Sequence, residues 1–352
     1  MIYRTTKTTM KQVAEHAGVS TATVARFIHK RGYISAEAEQ KVMEAIQATG
    51  YQLNAIAQSL RQQHTNTIAH ILESAVPNPF FIHVSLGAKA MAHEHHYHML
   101  EYNVQHDPVI EQKAVEAFIS RRVDAILFTT PINADNVHLA QTSGIPVVQV
   151  EKPCLAGTDA VLVDNYSGVR AAMDHLLALG HRRIAFSGVD PASPLKKKDY
   201  SIRERYGGYV DALVENGIDR CPEWVTFGES YSSEDTVSVG CGWDSANHLL
   251  ALDTPPTAIF AAGDNIAAGV MQAIHAHGLR VPDDISVIGF DDTYSPYLAP
   301  PLTTVRMPMQ ELGREAIRMV LQRISQVDAL PPQTVTLKTQ LVVRQSTAPP
   351  RS

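Results

Sequence analysis

Four residues near the start of the chain, Thr21, Ala22, Thr23 and Arg26, have the types and spacing of a device that reads DNA bases. Arg26 can donate two hydrogen bonds to a guanine edge, and the short side chains before it let a helix backbone come close to a major groove and touch a thymine methyl group. Such a row works only on the outer face of a helix. The segment 9–31, TMKQVAEHAGVSTATVARFIHKR, reads as two short helices joined by a tight turn. Thr9 caps the first while Gln12 reaches back to it, and Val13, Ala14 and Ala17 share one face. Gly18 ends that helix and Ser20 caps the next, whose apolar stripe is Val24, Phe27 and Ile28. A third helix is expected from Ser35 and Glu37 to Thr49, with Ala38, Val42, Ala45 and Ile46 inward and Gly50 closing it. An ordinary helical hairpin with a solvated polar face is the competing reading. Charge argues against it: residues 1–64 hold eight Lys/Arg against four Glu, a balance of +4, whereas the rest of the chain stands at −10. A basic head on an acidic body attracts phosphate.

A second set of chemistry-bearing residues stands at strand ends. From Thr67 onward, strands at 67–74, 96–103, 123–130, 146–151, 160–164, 183–189, 224–228, 258–263 and 285–290 alternate with helices. This pattern implies parallel sheets covered on both faces, with ligands bound outside the strand C-termini. Nine strands and a tail exceed one comfortable sheet, so two lobes facing a cleft are expected. Phe80 and Phe81 follow the first strand, Glu151 ends the PVVQVE strand, Arg205 sits in RERYGGYVDAL, and Asp264 and Asp291 end AIFAAGD and ISVIGFD. An arginine with carboxylates and aromatic faces suits a polyol, which needs fixed donors and acceptors beside a flat apolar surface. The plainer alternatives are helix capping for the two aspartates and simple surface exposure for Arg205.

Composition bounds the rest. The chain has 352 residues, 45% of them hydrophobic, enough for two or three domains with sizeable cores. It opens MIYRTTKTT without an apolar signal region and holds no apolar run of membrane-spanning length, so a cytoplasmic protein with no membrane partner is expected. Cys154, Cys221 and Cys241 form no CxxC and fit a reducing compartment. No nucleotide loop, GxSxG or catalytic Cys-His pattern is present, so neither an enzyme nor a cofactor is expected. The group His93, Glu94, His95, His96 and His98 straddles a helix end and cannot face one ion, and no metal site is expected. Lys196, Lys197 and Lys198 read as a solvated loop.

The motifs Val13-Ala14, Ala17-Gly18-Val19-Ser20, Ala22-Thr23-Val24 with Arg26, Gly50-Tyr51 and Asn54-Ala55-Ile56-Ala57-Gln58-Ser59-Leu60 together resemble the LacI/GalR family of bacterial transcription regulators, and the similarity runs to about Thr347. The resemblance implies an all-α helix-turn-helix head, residues 1–51, and a hinge, 52–66, joined to an α/β two-lobed periplasmic-binding-protein-like core with parallel sheets, 67–352. Lobe 1 would comprise 67–163 and 294–326, and lobe 2 would comprise 164–293 and 327–347, with crossovers near 164, 293 and 326. Helix 310–326 would belong to lobe 1 and the last strands, 335–344, to lobe 2.

By the same resemblance Thr21, Ala22 and Arg26 read bases, and Ser20, Thr23 and His29 approach phosphates. Ala25 replaces the usual serine, which removes one phosphate contact. Segment 52–64 is too short and polar to be a stable helix alone. In the family it is a hinge helix that pairs across a homodimer, with Ala57 and Leu60 entering the minor groove and Asn54 beside them; a flexible linker is the simpler alternative. Phe80, Phe81, Glu151, Arg205, Asp264 and Asp291 would line an effector pocket. Extra residues between Gly228 and Gly242 occupy the region that normally offers an aromatic ring, and Tyr231 is the substitute. Met307 stands where many relatives have glutamine. The implied function is a repressor on a pseudo-palindromic operator, controlled by a small molecule, most simply a carbohydrate. A solute-binding protein and a sugar-modifying enzyme are the alternatives from other classes.

Overall fold

A computed structural model describes residues 8–29, 32–51, 64–74, 78–189, 200–228, 236–325 and 331–351. The chain divides into two units, Met1–Thr65 and Asn66–Ser352. In the first, helices α1 (Met10–Ala17), α2 (Thr21–His29) and α3 (Ala36–Thr49) follow one another. The Thr9 side chain accepts from the Gln12 backbone N–H while Gln12 accepts from the Thr9 N–H at 2.8 Å, so two donors at the helix start are satisfied reciprocally. Gly18 and Gly50 take left-handed conformations (φ 65° and 60°) that let α1 and α3 end sharply. Val13, Ala14, Ala17, Val24, Val42 and Ala45 form the core, with Phe27, Ile28, Ile46 and Tyr51 packed against it.

The second unit contains β1 (Thr67–Leu72), α4 (Pro79–Glu94), β2 (His98–Asn103), α5 (Pro108–Ser120), β3 (Ala125–Thr129), α6 (Ala134–Thr142), β4 (Val147–Val150) and β5 (Asp159–Val163). Then come α7 (Asn165–Ala178), β6 (Ile184–Val189), α8 (Tyr200–Glu215), β7 (Val225–Gly228), α9 (Thr236–Leu250), β8 (Ala258–Ala261), α10 (Asp264–Ala276) and β9 (Ser286–Asp291). The chain closes with β10 (Thr303–Arg306), α11 (Met309–Ser325), β11 (Thr334–Leu337) and β12 (Gln340–Val342). Two six-stranded sheets result, ordered β11-β5-β4-β3-β1-β2 and β12-β10-β9-β8-β6-β7. All pairings are parallel except β10 with β12. Side chains alternate between faces along each strand. Ile184 and Phe186 join the layer formed with α7 and α8, whereas Ala185 joins the layer formed with α9 and α10. The first sheet is likewise covered by α4 and α11 on one face and by α5 and α6 on the other.

The helix-turn-helix head and the two-lobed core agree with expectation, but two crossovers do not. The chain leaves the first sheet after β5, as expected, yet β10 still pairs with β9, so the return comes at Met307–Pro308 and not near 293. Helix α11 packs in lobe 1, but β11 adds to β5 in the first sheet, which puts the last crossing between 337 and 340 and not at 326. The residues 294–306 therefore belong with lobe 2 and 331–337 with lobe 1. Backbone pairing decides both cases: β10 and β11 satisfy the exposed N–H and C=O groups of β9 and β5.

Each lobe has a helix pair in very close contact. A Cβ at Gly87 of α4 would lie 1.9 Å from the Gln310 carbonyl oxygen, and one at Gly313 of α11 would lie 2.0 Å from that of Val84. A Cβ at Gly242 of α9 would lie 2.0 Å from the Ile266 carbonyl oxygen, and one at Gly269 of α10 would lie 1.9 Å from that of Val239, in the same reciprocal way. A Gly313→Ala variant is accordingly expected to lose about 1–3 kcal/mol or more through overpacking, read as a lower Tm in thermal denaturation. An unchanged Tm would show that the two helices can separate freely. Among the described residues, no helix is long and apolar enough to cross a membrane.

Candidate ligand cleft and nucleic-acid interface

The C-terminal ends of strands from both sheets open onto one cleft. Clefts outside the strand C-termini of such sheets are where small molecules bind. On the lobe 1 side, Asn78 caps α4, its Oδ1 accepting from the Phe80 N–H at 3.0 Å, and this turn presents Phe80 and Phe81 edge to face, ring centroids 5.3 Å apart. Glu73 follows β1. Its carboxylate accepts from Thr130 Oγ1 at 2.7 Å and pairs with His106 Nδ1 at 3.2 Å. Glu151 and Lys152 complete this wall.

Arg205, projecting from α8, dominates the lobe 2 wall. Its Nε donates to Asn165 Oδ1 at 2.8 Å, its Nη1 donates to the Ala262 carbonyl at 2.7 Å and to Asp291 Oδ1 at 3.3 Å, and its Nη2 faces Met307 Sδ at 3.5 Å. The guanidinium lies over the Phe290 ring, 3.8 Å from the centroid. Four elements thus hold one planar cation. His106, Thr130, Glu151 and Asp291 all have positive φ (61°, 53°, 70° and 113°), a strained choice for non-glycine residues that clusters where the cleft is built.

Burial pushes the Asp291 carboxyl up to about 7; Arg205 opposes that rise, while Asp264 and Glu151 add to it. The folded state therefore keeps a proton that the unfolded chain has released above its ordinary value of 3.8. Stability falls as pH rises from that value to about 7, and the cost is fully present above the folded pKa. An Asp291→Asn variant lacks this slope. Its Tm relative to wild type is expected to rise between about pH 5 and pH 8, and a constant difference would remove the argument.

The structure brings Phe80, Phe81, Glu151, Arg205 and Asp291 together on the cleft. Asp264 is not among the lining residues and needs correction. It is fully buried behind the wall, accepting from Ser295 Oγ at 2.5 Å, Thr304 Oγ1 at 2.7 Å and the Thr293 N–H at 2.8 Å. It ties the 293–295 turn to β10, and burial pushes its carboxyl up to about 6. Tyr231 lies outside the described residues, as do Asn54, Ala57 and Leu60. Glu73, His106, Thr130, Asn78 and Lys152 were not singled out by sequence, although the strand-end rule that marked Glu151 applies equally to Glu73 and Thr130. The histidine group forms no metal cluster among the described residues; His96 takes φ 62° beyond the end of α4, and Glu94 pairs with Arg314 at 3.0 Å.

In the head, Ser20 Oγ accepts from the Thr23 N–H at 3.1 Å and meets Thr23 Oγ1 at 2.8 Å, capping α2. Ser20, Thr21, Ala22 and Arg26 are exposed, while Thr23 and Ala25 are half-buried. His29 is the last residue of α2. The outer face of this helix is thus free to enter a groove, and its inner face is anchored by Val24.

Residues 9–54 match the family of bacterial regulatory proteins, lacI family, and residues 173–347 match a periplasmic binding protein-like domain. The HTH-type transcriptional repressor PurR of Mannheimia succiniciproducens is 33% identical over 342 residues, 96% of this chain and 98% of that protein. The lac repressor dimer bound to operator and the anti-inducer ONPF is similar in structure over 97% of this chain and 99% of that one, at 27% identity and a TM-score of 0.81. The transcriptional regulator CelR in complex with cellobiose is similar over 97% and 100%, at 26% identity and a TM-score of 0.70. With a capped helix pair presenting Arg26 in the first unit, two lobes facing a cleft in the second, and repressors as its relatives across nearly the whole chain, the protein belongs to the lacI family of DNA-binding transcriptional repressors.

Proposed function

We propose that this repressor binds a pseudo-palindromic operator as a homodimer, and that a sugar or sugar derivative in the cleft sets its operator affinity. The observation that carries the reading is the convergence from both lobes of fixed polar groups, Glu73, Thr130 and Glu151 against Arg205 and Asp291, beside the Phe80–Phe81 pair. Hydroxyl groups need such donors and acceptors, and ring C–H faces need the aromatic surface. The CelR structure is a complex with cellobiose, which makes a saccharide a reasonable occupant for a cleft of this architecture. In this reading Thr21, Ala22 and Arg26 contact bases, Ser20, Thr23 and His29 contact phosphates, and Asn54, Ala57 and Leu60 supply the hinge contacts. In the same reading Tyr231 is an effector-binding residue and the protein acts in the cytoplasm. A ligand that favours one arrangement of the lobes shifts the population away from the arrangement that DNA favours.

The test is footprinting of the purified protein across the promoter of its own gene, followed by the same footprint with a panel of sugars that raise its Tm. A protected two-fold site, released or tightened by a panel member, is the expected result. Protection that no sugar in the panel alters would remove the carbohydrate reading. No protected site at all would remove the operator reading there.

A further inference from the structure

Arg205 is tied to the joint between the lobes as well as to the cleft. The chain passes between the two sheets at 163–165, at Met307–Pro308 and between 337 and 340. Asn165, buried at the first crossing, is the opening residue of α7. Its carboxamide faces both ways: Oδ1 accepts from Arg205 Nε at 2.8 Å, and Nδ2 donates to the carbonyl of Val163, the last residue of β5, at 3.2 Å. The intervening Asp164 donates its N–H to the Leu337 carbonyl at 2.9 Å, and its own carbonyl accepts from Thr339 Oγ1 at 3.1 Å. The first and third crossings are thus hydrogen-bonded to each other beside Asn165. At the second, Met307 places Sδ 3.5 Å from Arg205 Nη2 and donates its N–H to the Asp291 carbonyl at 3.3 Å.

Asparagine suits this position because the two groups it meets are of opposite kind. The Arg205 Nε–H only donates and the Val163 carbonyl only accepts, so the side chain between them must offer one acceptor and one donor. Aspartate would turn a carboxylate on the carbonyl, and leucine would serve neither partner; either change leaves a buried polar group unpaired. Helix capping does not account for the residue. Asp164 already caps α7, its carboxylate accepting from the Ser167 N–H at 3.0 Å.

We propose that Asn165 is a positioning residue for the cleft: its acceptor end holds the Arg205 guanidinium and its donor end holds the first crossing strand, so that a ligand drawing on Arg205 acts on the joint between the lobes. This role rests on the cleft being the effector site, but its tests use the protein without effector or DNA and are decided separately from that reading.

The first test is a pH profile. The charged groups acting on Asp291 are Arg205 from α8, Asp264 from α10 and Glu151 after β4. The Tm difference between wild type and Asp291→Asn has its midpoint where Asp291 titrates. In an Asn165→Leu background that midpoint is expected to move up by about one pH unit or more, because Arg205 is no longer held against the carboxylate. A lower Tm with an unmoved midpoint would mean that Asn165 only packs, and would overturn the proposal. A crystal structure of effector-free Asn165→Leu should show the guanidinium displaced from the Phe290 ring, and a guanidinium left in place would overturn it equally. Asn165→Ser, whose hydroxyl is too short to reach both partners, takes the same two measurements if the leucine variant does not fold. The second test is amide exchange at Asp164, followed by mass spectrometry. Arg205→Lys, which lacks Nε, should speed that exchange roughly 3- to 10-fold, the worth of one hydrogen bond. It should add nothing where Asn165 is already replaced. The same increase in both backgrounds would show that Arg205 reaches the joint without Asn165, and would overturn its role as the link.

Discussion

An Arg26→Ala protein is expected to lose about 30-fold or more in operator affinity, because the proposed dimer would lose one guanidinium per half-site and each bidentate guanine contact is worth about 1–3 kcal/mol. The substitution should leave the fold alone. Arg26 is exposed on α2, outside the small core built on Val13, Val24 and Val42, so the melting temperature should match wild type. Competition against scrambled DNA separates this from a loss of general charge. Specific binding should fall much more than non-specific binding, which depends on phosphate attraction by the whole basic head. Equal losses on both DNAs would mean that Arg26 grips the backbone and reads nothing. The converse substitution, Ala25→Ser, would supply the phosphate contact that the resemblance to the family implies is missing here. It should tighten binding modestly on every sequence without changing preference.

Replacing Arg205 should have the largest effect on regulation. Its guanidinium is held from four sides and stacked on Phe290, so it is preorganised for a ligand. Arg205→Ala is expected to weaken effector binding by about 10- to 100-fold, since a hydrogen bond from a charged donor is worth about 1.5–3 kcal/mol. Asp291 would then lose the charge that holds its carboxyl down, and it would stay protonated to higher pH. The stability cost is thereby limited, and operator binding should persist without responding to effector. Arg205→Lys keeps the charge but not the planar fork, and it should recover only part of the response. Full regulation by Arg205→Ala, in a titration of operator binding against ligand, would exclude the cleft as the control site.

The helical head was legible in detail because its signals are local: Thr9, Gly18, Ser20, Ser35 and Gly50 all cap or end helices as their types demand. The strands were legible too, since apolar runs such as AILFT in β3 alternate with capped helices. Their sheet membership near the C-terminus was not. Thr303–Arg306 and Thr334–Leu337 are four residues each, and nothing within four residues says which distant strand they will join. The same limit governs the cleft. Asp264 and Asp291 look alike in sequence, each just after or at the end of a buried strand, but the 293–295 turn and Thr304 fold over Asp264 and leave only Asp291 facing the ligand space. Glu73 gained its place through Thr130 and His106, partners 57 and 33 residues away, which no local pattern reveals.

The central claim is that one protein binds operator at its head and effector in its cleft, with a coupling free energy between the two sites. Linkage requires that coupling to be reciprocal. The most direct test is to titrate the effector into the free protein and into the protein saturated with its operator, and to measure operator affinity with and without saturating effector. The account predicts that both ratios equal the same factor, in the range of about 5 to 150. An effector that binds the free protein and the operator complex with equal affinity would contradict it.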